Sequence, residues 1–323
     1  MKNLKTTFAG LQLKNPFIVS SSGLTDSAEK NKALEVAGAA AIVLKSLFEE
    51  QIMWQTAHHL DDSYIEATDY LQTYMRAHYL EEYTRLVKES KKLCSIPIIA
   101  SINCYTDKEW EDYAVTLEQA GADAVELNFM SIQTNTDYVY GSFEDQLIHI
   151  VKHVKGKIQI PVIVKLSANL TNPIKLIEQL YANGAAAIVL FNRLYQTDID
   201  IDTLQYTTGH ILSHEHELAN ALRWTGIAST AVPRADYAAS GGITSGRDIV
   251  KSLLAGASAV EVCSAIYEKG NNIIGAMLND VETWMAQKGH SEITQFKGLM
   301  RVADLNKTNA FERTQFMKYF GEK

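Results

Sequence analysis

Eight short apolar runs, each followed by residues at helical spacing, constrain this chain more than any other feature. They are Phe17 to Ser21, Ala40 to Leu44, Ile98 to Ile102, Ala124 to Leu127, Val162 to Val164 and Ala186 to Phe191, then a run into Ser240-Gly241-Gly242 and another into Cys263-Ser264. They recur about every 35–40 residues, and Gly38, Gly121 and Gly184 close the intervening helices. Runs apolar on both faces indicate parallel strands covered by helices. Eight such units close more naturally into a barrel than they lie open. A doubly wound sheet asks for G-x-G-x-x-G after its first strand, and Ser21-Ser22-Gly23 does not supply it. The expected fold is α/β, a (β/α)8 barrel forming a single domain over residues 1–323.

Some stretches break the rhythm. Thr6 to Leu13 reads as a small hairpin turning near Gly10, suited to plugging the bottom of a barrel. Long loops are expected after strands two, four and six, at about residues 47–78, 129–142 and 193–213. The first holds Trp54, His58, His59, Tyr64, Tyr70 and Tyr74, and the helical pattern resumes from Tyr79 to Lys92. Such loops act as lids or binding segments. The tail to Lys323 is expected to pack as helix.

In a barrel the reacting groups sit where strands end. Those ends are Ser22-Gly23, Lys45-Ser46, Asn103, Asn128, Lys165, Asn192, Ser240-Gly241-Gly242 and Cys263-Ser264. A Ser-Gly-Gly turn lets a ligand approach bare main-chain N–H groups, and the helix start that follows favours an anion. Two strand–Gly units in tandem, late in the chain, match the phosphate site after the last two strands of such barrels. The set offers no Asp or Glu pair and no His, which argues against glycosidase, triad and zinc-hydrolase chemistry. A Schiff-base aldolase using Lys45 or Lys165 remains open. Two lysines, several amides and a phosphate site suit an anionic cofactor such as a flavin better.

Composition excludes other classes. With 30 Lys and Arg against 38 Asp and Glu, the net charge of -8 argues against nucleic-acid binding. No run approaches the length of a membrane span, and the N-terminus lacks a signal-peptide apolar region. Cys94, Cys104 and Cys263 are scattered and odd in number, which fits a reducing cytoplasm and no cysteine-bound metal. His149/His153 and His214-Glu215-His216 read as solvent-facing and capping groups, so no metal is expected.

The motifs now converge. Asn15-Pro16-Phe17-Ile18 leading to Ser21-Ser22-Gly23, Lys45-Ser46, Glu126-Leu127-Asn128, Val164-Lys165-Leu166, Asn192, Gly241-Gly242-Ile243, Gly246-Arg247-Asp248, Leu254-Ala255-Gly256-Ala257 and Val262-Cys263-Ser264-Ala265 together resemble the dihydroorotate dehydrogenase family, nearest its soluble class 1 members. The resemblance covers nearly the whole chain. It implies FMN as cofactor, held by Ser22, Gly23, Lys45, Ser46, Asn103, Lys165, Ser213, Gly241, Gly242, Cys263 and Ser264. It implies Lys45 and Ser131 as catalytic groups, Ser131 falling at the family's proton-transfer position, and Asn128, Asn192 and Arg193 as substrate-binding groups. It further implies a cytoplasmic homodimer oxidising or reducing a C–C bond beside a carbonyl. Where the family continues N-x-S-C-P-N after strand four, this chain has Asn128-Phe129-Met130-Ser131-Ile132-Gln133, and the N-x-M-G-L-P-N loop after strand two is absent. The expected substrate is therefore dihydroorotate or a related dihydropyrimidine or enone. A flavin-binding relative without catalysis is the remaining alternative.

Overall fold

The computed structural model describes residues 2–48, 65–103, 107–194, 196–307, 313–314 and 317–318. Trp54, His58, His59, Tyr64 and Cys104 lie outside the described residues. Eight parallel strands close into a barrel: β3 (Phe17–Val19), β4 (Ala41–Val43), β6 (Ile98–Asn103), β7 (Ala124–Asn128), β8 (Val162–Ser167), β9 (Ala185–Asn192), β12 (Asp236–Ser240) and β13 (Ala259–Val262), with β13 pairing β3 and β4 pairing β6. The helices follow in order as α1 (Ala28–Val36), α2 (Ile65–Leu93), α3 (Asp107–Gln119), α4 (Ser142–Lys157), α5 (Pro173–Ala182), α6 (Leu218–Ala231), α7 (Gly246–Ala255), α8 (Ser264–Lys269) and α9 (Ile273–Lys288). Their starts carry the expected local chemistry: the Ser27 side chain caps α1, and Asn172 with Pro173 opens α5.

The N-terminal hairpin is β1 (Thr6–Phe8) and β2 (Leu11–Leu13), turned by Ala9 and Gly10 at positive φ. Phe8 and Leu13 pack against Ile18, Ile99, Ala124, Ile163 and Ala259, sealing one end of the barrel. Asp236 fastens this plug, accepting from the Ala9 N–H at 2.9 Å and from the Ser258 hydroxyl at 2.9 Å. Burying Phe8 contributes about 2–3 kcal/mol.

Side chains alternate inward and outward along a strand, so residues two beyond this apolar tier face inward as well. They are Ser20, Ser101, Glu126, Lys165 and Glu261, and all five are buried. The barrel therefore has an apolar floor and a polar upper tier.

Three expectations need correction. The helix read as starting at Tyr79 begins at Ile65, because a mixed aromatic and polar composition hides good helix formers such as Glu66, Ala67, Leu71 and Gln72. The loop after β9 contains its own antiparallel hairpin, β10 (Thr197–Asp200) with β11 (Gln205–Thr208). The tail up to Lys307 is turns and short 3-10 segments rather than α-helix, while residues 313–314 and 317–318 have helical backbone. The stretch up to Lys307 is held by main-chain bonds from Gly298 and Met300 to Leu253 and Leu254.

Candidate active site

Strand two of the barrel does not simply end at Lys45. It pauses and resumes as β5 (Leu47–Phe48), which pairs β6 again. Val43 sits opposite Ile99 and Leu47 opposite Ile102, so four steps on one strand face three on the other. This bulge turns the Lys45 N–H toward the Thr25 carbonyl at 3.3 Å and leaves the Lys45 side chain exposed. Ser46 turns inward instead. Its hydroxyl bonds those of Ser21 at 2.9 Å and Ser101 at 2.7 Å.

A cleft of about 1070 Å³ opens at the C-terminal ends of β3, β8, β9, β12 and β13. Ser22, Gly23, Lys165, Asn192, Arg193, Ser213, Gly241, Gly242, Cys263 and Ser264 all line it. Lys45, Ser46, Asn103, Asn128 and Ser131 do not. Ser46 reaches the wall through two hydrogen bonds to Ser21, from its hydroxyl and its N–H, and Asn128 through one to Asn192. Asn103 is buried at the end of β6. Ser131 is exposed on the loop after β7, where its hydroxyl accepts from Gln133 at 2.9 Å.

One end of the cleft is built for close approach. Gly241 and Gly242 both have positive φ, and a Cβ on Gly242 would collide with the Leu218 N and lie 2.7 Å from the His214 carbonyl. The Gly242 N–H donates to the Ser213 hydroxyl at 3.1 Å, and Ser213 in turn bonds Ser264 through both its N–H (2.9 Å) and its hydroxyl (3.0 Å). At the helix after the Gly-Gly turn, an acidic side chain already caps the residues just before the first turn. Asp248 Oδ2 accepts from the Thr244 N–H at 3.2 Å and the Ser245 N–H at 3.1 Å, so the start of α7 is occupied by its own carboxylate. The bare Gly241 side and the start of α8, with Ser264, are left to meet an anion.

The polar tier forms the floor. Lys165 Nζ donates to Glu261 Oε2 at 2.6 Å and to Ser20 Oγ at 2.8 Å, and Ser20 also bonds Glu261 at 3.0 Å. Burial opposes the Lys165 charge, but Glu261 and Glu126 outweigh it and hold its pKa above the ordinary lysine value. Burial, then the neighbouring Glu261, pushes Glu126 well above the usual carboxylate range. The strand ends themselves carry no acidic pair, but Glu261 lines the cleft and Glu126 lies against Glu261 below it. Both sit two residues inside strands whose apolar neighbours mask the alternation. Ser20 and Tyr267 were likewise missed. The Tyr267 hydroxyl lies 2.9 Å from where a Gly23 Cβ would stand, so a side chain there would have to displace the tyrosine tip.

Arg193 commits its donors to protein. Nε donates to Glu217 Oε2 at 2.8 Å, Nη1 to the Ile211 carbonyl at 2.9 Å and Nη2 to the His210 carbonyl at 2.7 Å. It thus holds residues 209–213 along the cleft. The His214 N–H donates to Glu217 Oε1 at 2.9 Å, in keeping with a cap. No cluster of three or more His, Cys, Asp or Glu groups able to hold a metal occurs among the described residues, and no described helix is long and apolar enough to cross a membrane.

Known proteins resemble this chain over nearly its whole length. The chain is 31% identical over 309 residues to the dihydroorotate dehydrogenase B (NAD(+)) catalytic subunit of Thermoplasma volcanium, covering 93% of this chain and 99% of that protein. It is 28% identical over 309 residues to the protein of the same name from Thermoplasma acidophilum, with the same coverage. It is also 26% identical over 321 residues to the NAD-dependent dihydropyrimidine dehydrogenase subunit PreA of Escherichia coli K12, covering 92% of this chain and 77% of that protein. A sequence model described as dihydroorotate dehydrogenase matches residues 3–285, and the chain belongs to the dihydroorotate dehydrogenase family.

Proposed function

We propose that this barrel, over the whole of residues 1–323, is an FMN-dependent dehydrogenase that acts on dihydroorotate or a closely related dihydropyrimidine in pyrimidine metabolism. The chain is a dihydroorotate-dehydrogenase-like oxidoreductase acting on a CH–CH bond. One observation carries the cofactor: a single cleft joins the Gly241-Gly242 turn, Ser213 and Ser264 at one end to the buried cation Lys165 at the other. The small residues and main-chain donors fit a phosphate, and the lysine fits the electron-rich edge of a flavin ring. When bound, FMN would accept or return the hydride.

The remaining work falls to side chains of this chain. Ser22, Gly23, Cys263 and Ser264 wall the cleft, with Ser46 and Asn103 supporting the ends of strands two and three. Asn128 and Asn192 present amides to a planar ring that carries carbonyl and N–H groups. Arg193 fixes the loop over the cleft. Ser131 moves the proton from the substrate carbon adjacent to the one that loses hydride, and Lys45 supplies positive charge from the strand-two bulge. The aldolase alternative is weakened because Lys165 is held charged by Glu261, the opposite of what a Schiff-base amine requires.

The named relatives are subunits of NAD-linked enzymes, so the electrons are proposed to leave through an NAD-reactive partner protein. A homodimer in the cytoplasm is the proposed assembly and place. Anaerobic addition of dihydroorotate tests the substrate. Bleaching of the flavin bands supports it, whereas bleaching by dihydrouracil alone redirects the substrate, and bleaching by neither refutes the proposed activity.

A further inference from the structure

At the floor of the cleft, Glu126 and Glu261 lie against Lys165, and the reading above gives the two carboxyls no part in binding or turnover. Lys165 bonds only one of the four carboxylate oxygens, Glu261 Oε2 at 2.6 Å. Glu126 Oε1 receives a long 3.4 Å bond from Ser101, while Glu126 Oε2 and Glu261 Oε1 are buried without a donor. Two ionised carboxylates with one ammonium would leave an uncompensated charge and two bare acceptors in the interior, which is costly. One proton on the pair removes the charge and supplies a donor. The raised pKa of Glu126 agrees with this placement. The other titratable groups facing the cluster are the Tyr83 hydroxyl from α2, hydrogen-bonded to Ser101, and the Cys263 thiol beyond β13. Burial raises both, so neither contributes charge near neutral pH.

We propose that Glu126 and Glu261 form a proton-binding site coupled to the cleft: they hold one proton while Lys165 is bound to Glu261, and take up a second when negative charge arrives beside Lys165. An anionic occupant competes for the ammonium, and a buried Glu261 without its counterion binds a proton instead. One proton enters from solvent for one negative charge, and no covalent bond to carbon or nitrogen forms or breaks within the cluster. A chain of hydroxyls gives the route, from Glu126 to Ser101, from Ser101 to Ser46 at 2.7 Å, and from Ser46 to Ser21 on the cleft wall at 2.9 Å. Sequential hydrogen bonds of this kind also polarise one another.

The proposal rests on the FMN reading for its source of charge, so its test has two arms. On flavin-free protein at neutral pH, infrared spectroscopy should show the carbonyl stretch of a protonated buried carboxyl, lost in Glu126→Gln. Its absence from the parent protein overturns the proposal even if the cleft binds no flavin, a result that would refute the functional reading separately. On FMN-loaded protein, the reduced-minus-oxidised infrared difference should gain a carboxylic acid band and lose a carboxylate band. The pH dependence of the midpoint potential should count one proton fewer in the Glu126→Gln/Glu261→Gln double variant. No carboxyl change on reduction of the parent protein, or equal proton counts in parent and variant, overturns the coupling. The difference spectrum needs no variant, so a double variant that fails to fold does not shelter the idea.

Discussion

Asn192 donates from Nδ2 to Oδ1 of Asn128 across 2.6 Å, joining the ends of β9 and β7 over the intervening end of β8. The Asn192 carbonyl is held in turn by the Arg193 N–H at 2.8 Å, which fixes the direction of both amides. The Asn128 amide nitrogen has no partner among the described residues, and on the proposed reading it meets a substrate carbonyl. Asn128→Ala is therefore expected to retain the flavin spectrum and lose about 100-fold in kcat/KM, or about 2.7 kcal/mol of transition-state stabilisation. Steady-state kinetics beside a flavin-content assay checks the split.

Gly242→Ala should act on cofactor binding. Its new methyl group meets main-chain atoms of Leu218 and His214 at a positive φ, and none of these can step aside cheaply. The expected outcome is a loss of FMN affinity of at least about tenfold and a lower Tm. Fluorescence titration and thermal melts measure the two effects.

Arg193 is a fork, and a lysine cannot reproduce it. Arg193→Lys keeps the charge but loses simultaneous contact with Glu217 and two carbonyls, so residues 209–213 are held less firmly. We expect FMN to dissociate several-fold faster while the fold persists, as stopped-flow flavin release would show.

Glu35 ties α1 to the segment before β6. Burial opposes its ionisation, but Lys32 Nζ at 2.7 Å and the Ser95 hydroxyl and N–H at 2.5 and 3.0 Å outweigh it, drawing its pKa down to about 2. A depressed carboxylate pKa stabilises the fold above the unfolded value of about 4.5, and that stability is lost as pH falls toward 2. The parent protein should exceed Glu35→Gln by on the order of 2 kcal/mol in urea unfolding at pH 6, with the margin mostly gone by pH 2.

The barrel was legible because its strand–helix period and glycine stops are local signals. So were the groups at strand ends, since a parallel strand delivers its last residues to one face. Ten of the expected residues, from Ser22 to Ser264, meet in one cleft. The pairing of Glu126 with Glu261 was not legible, because a strand buried on both faces shows no polar alternation and a single Glu among Ala, Val and Leu gives no sign of a partner over a hundred residues away. The bulge at Lys45 depends on register against β6, and the Arg193 fork depends on a loop folding back from Gly209. Both are tertiary facts. The capped start of α7 was readable from Ser245 and Asp248, a capping pair whose carboxylate competes with any phosphate there.

FMN is proposed to occupy the cleft above Lys165. The most direct measurement is the visible spectrum of the purified protein, with flavin released, identified and counted against protein. The account predicts yellow protein carrying one FMN per chain, or stoichiometric uptake when FMN is added. A colourless protein that also refuses added FMN would contradict it.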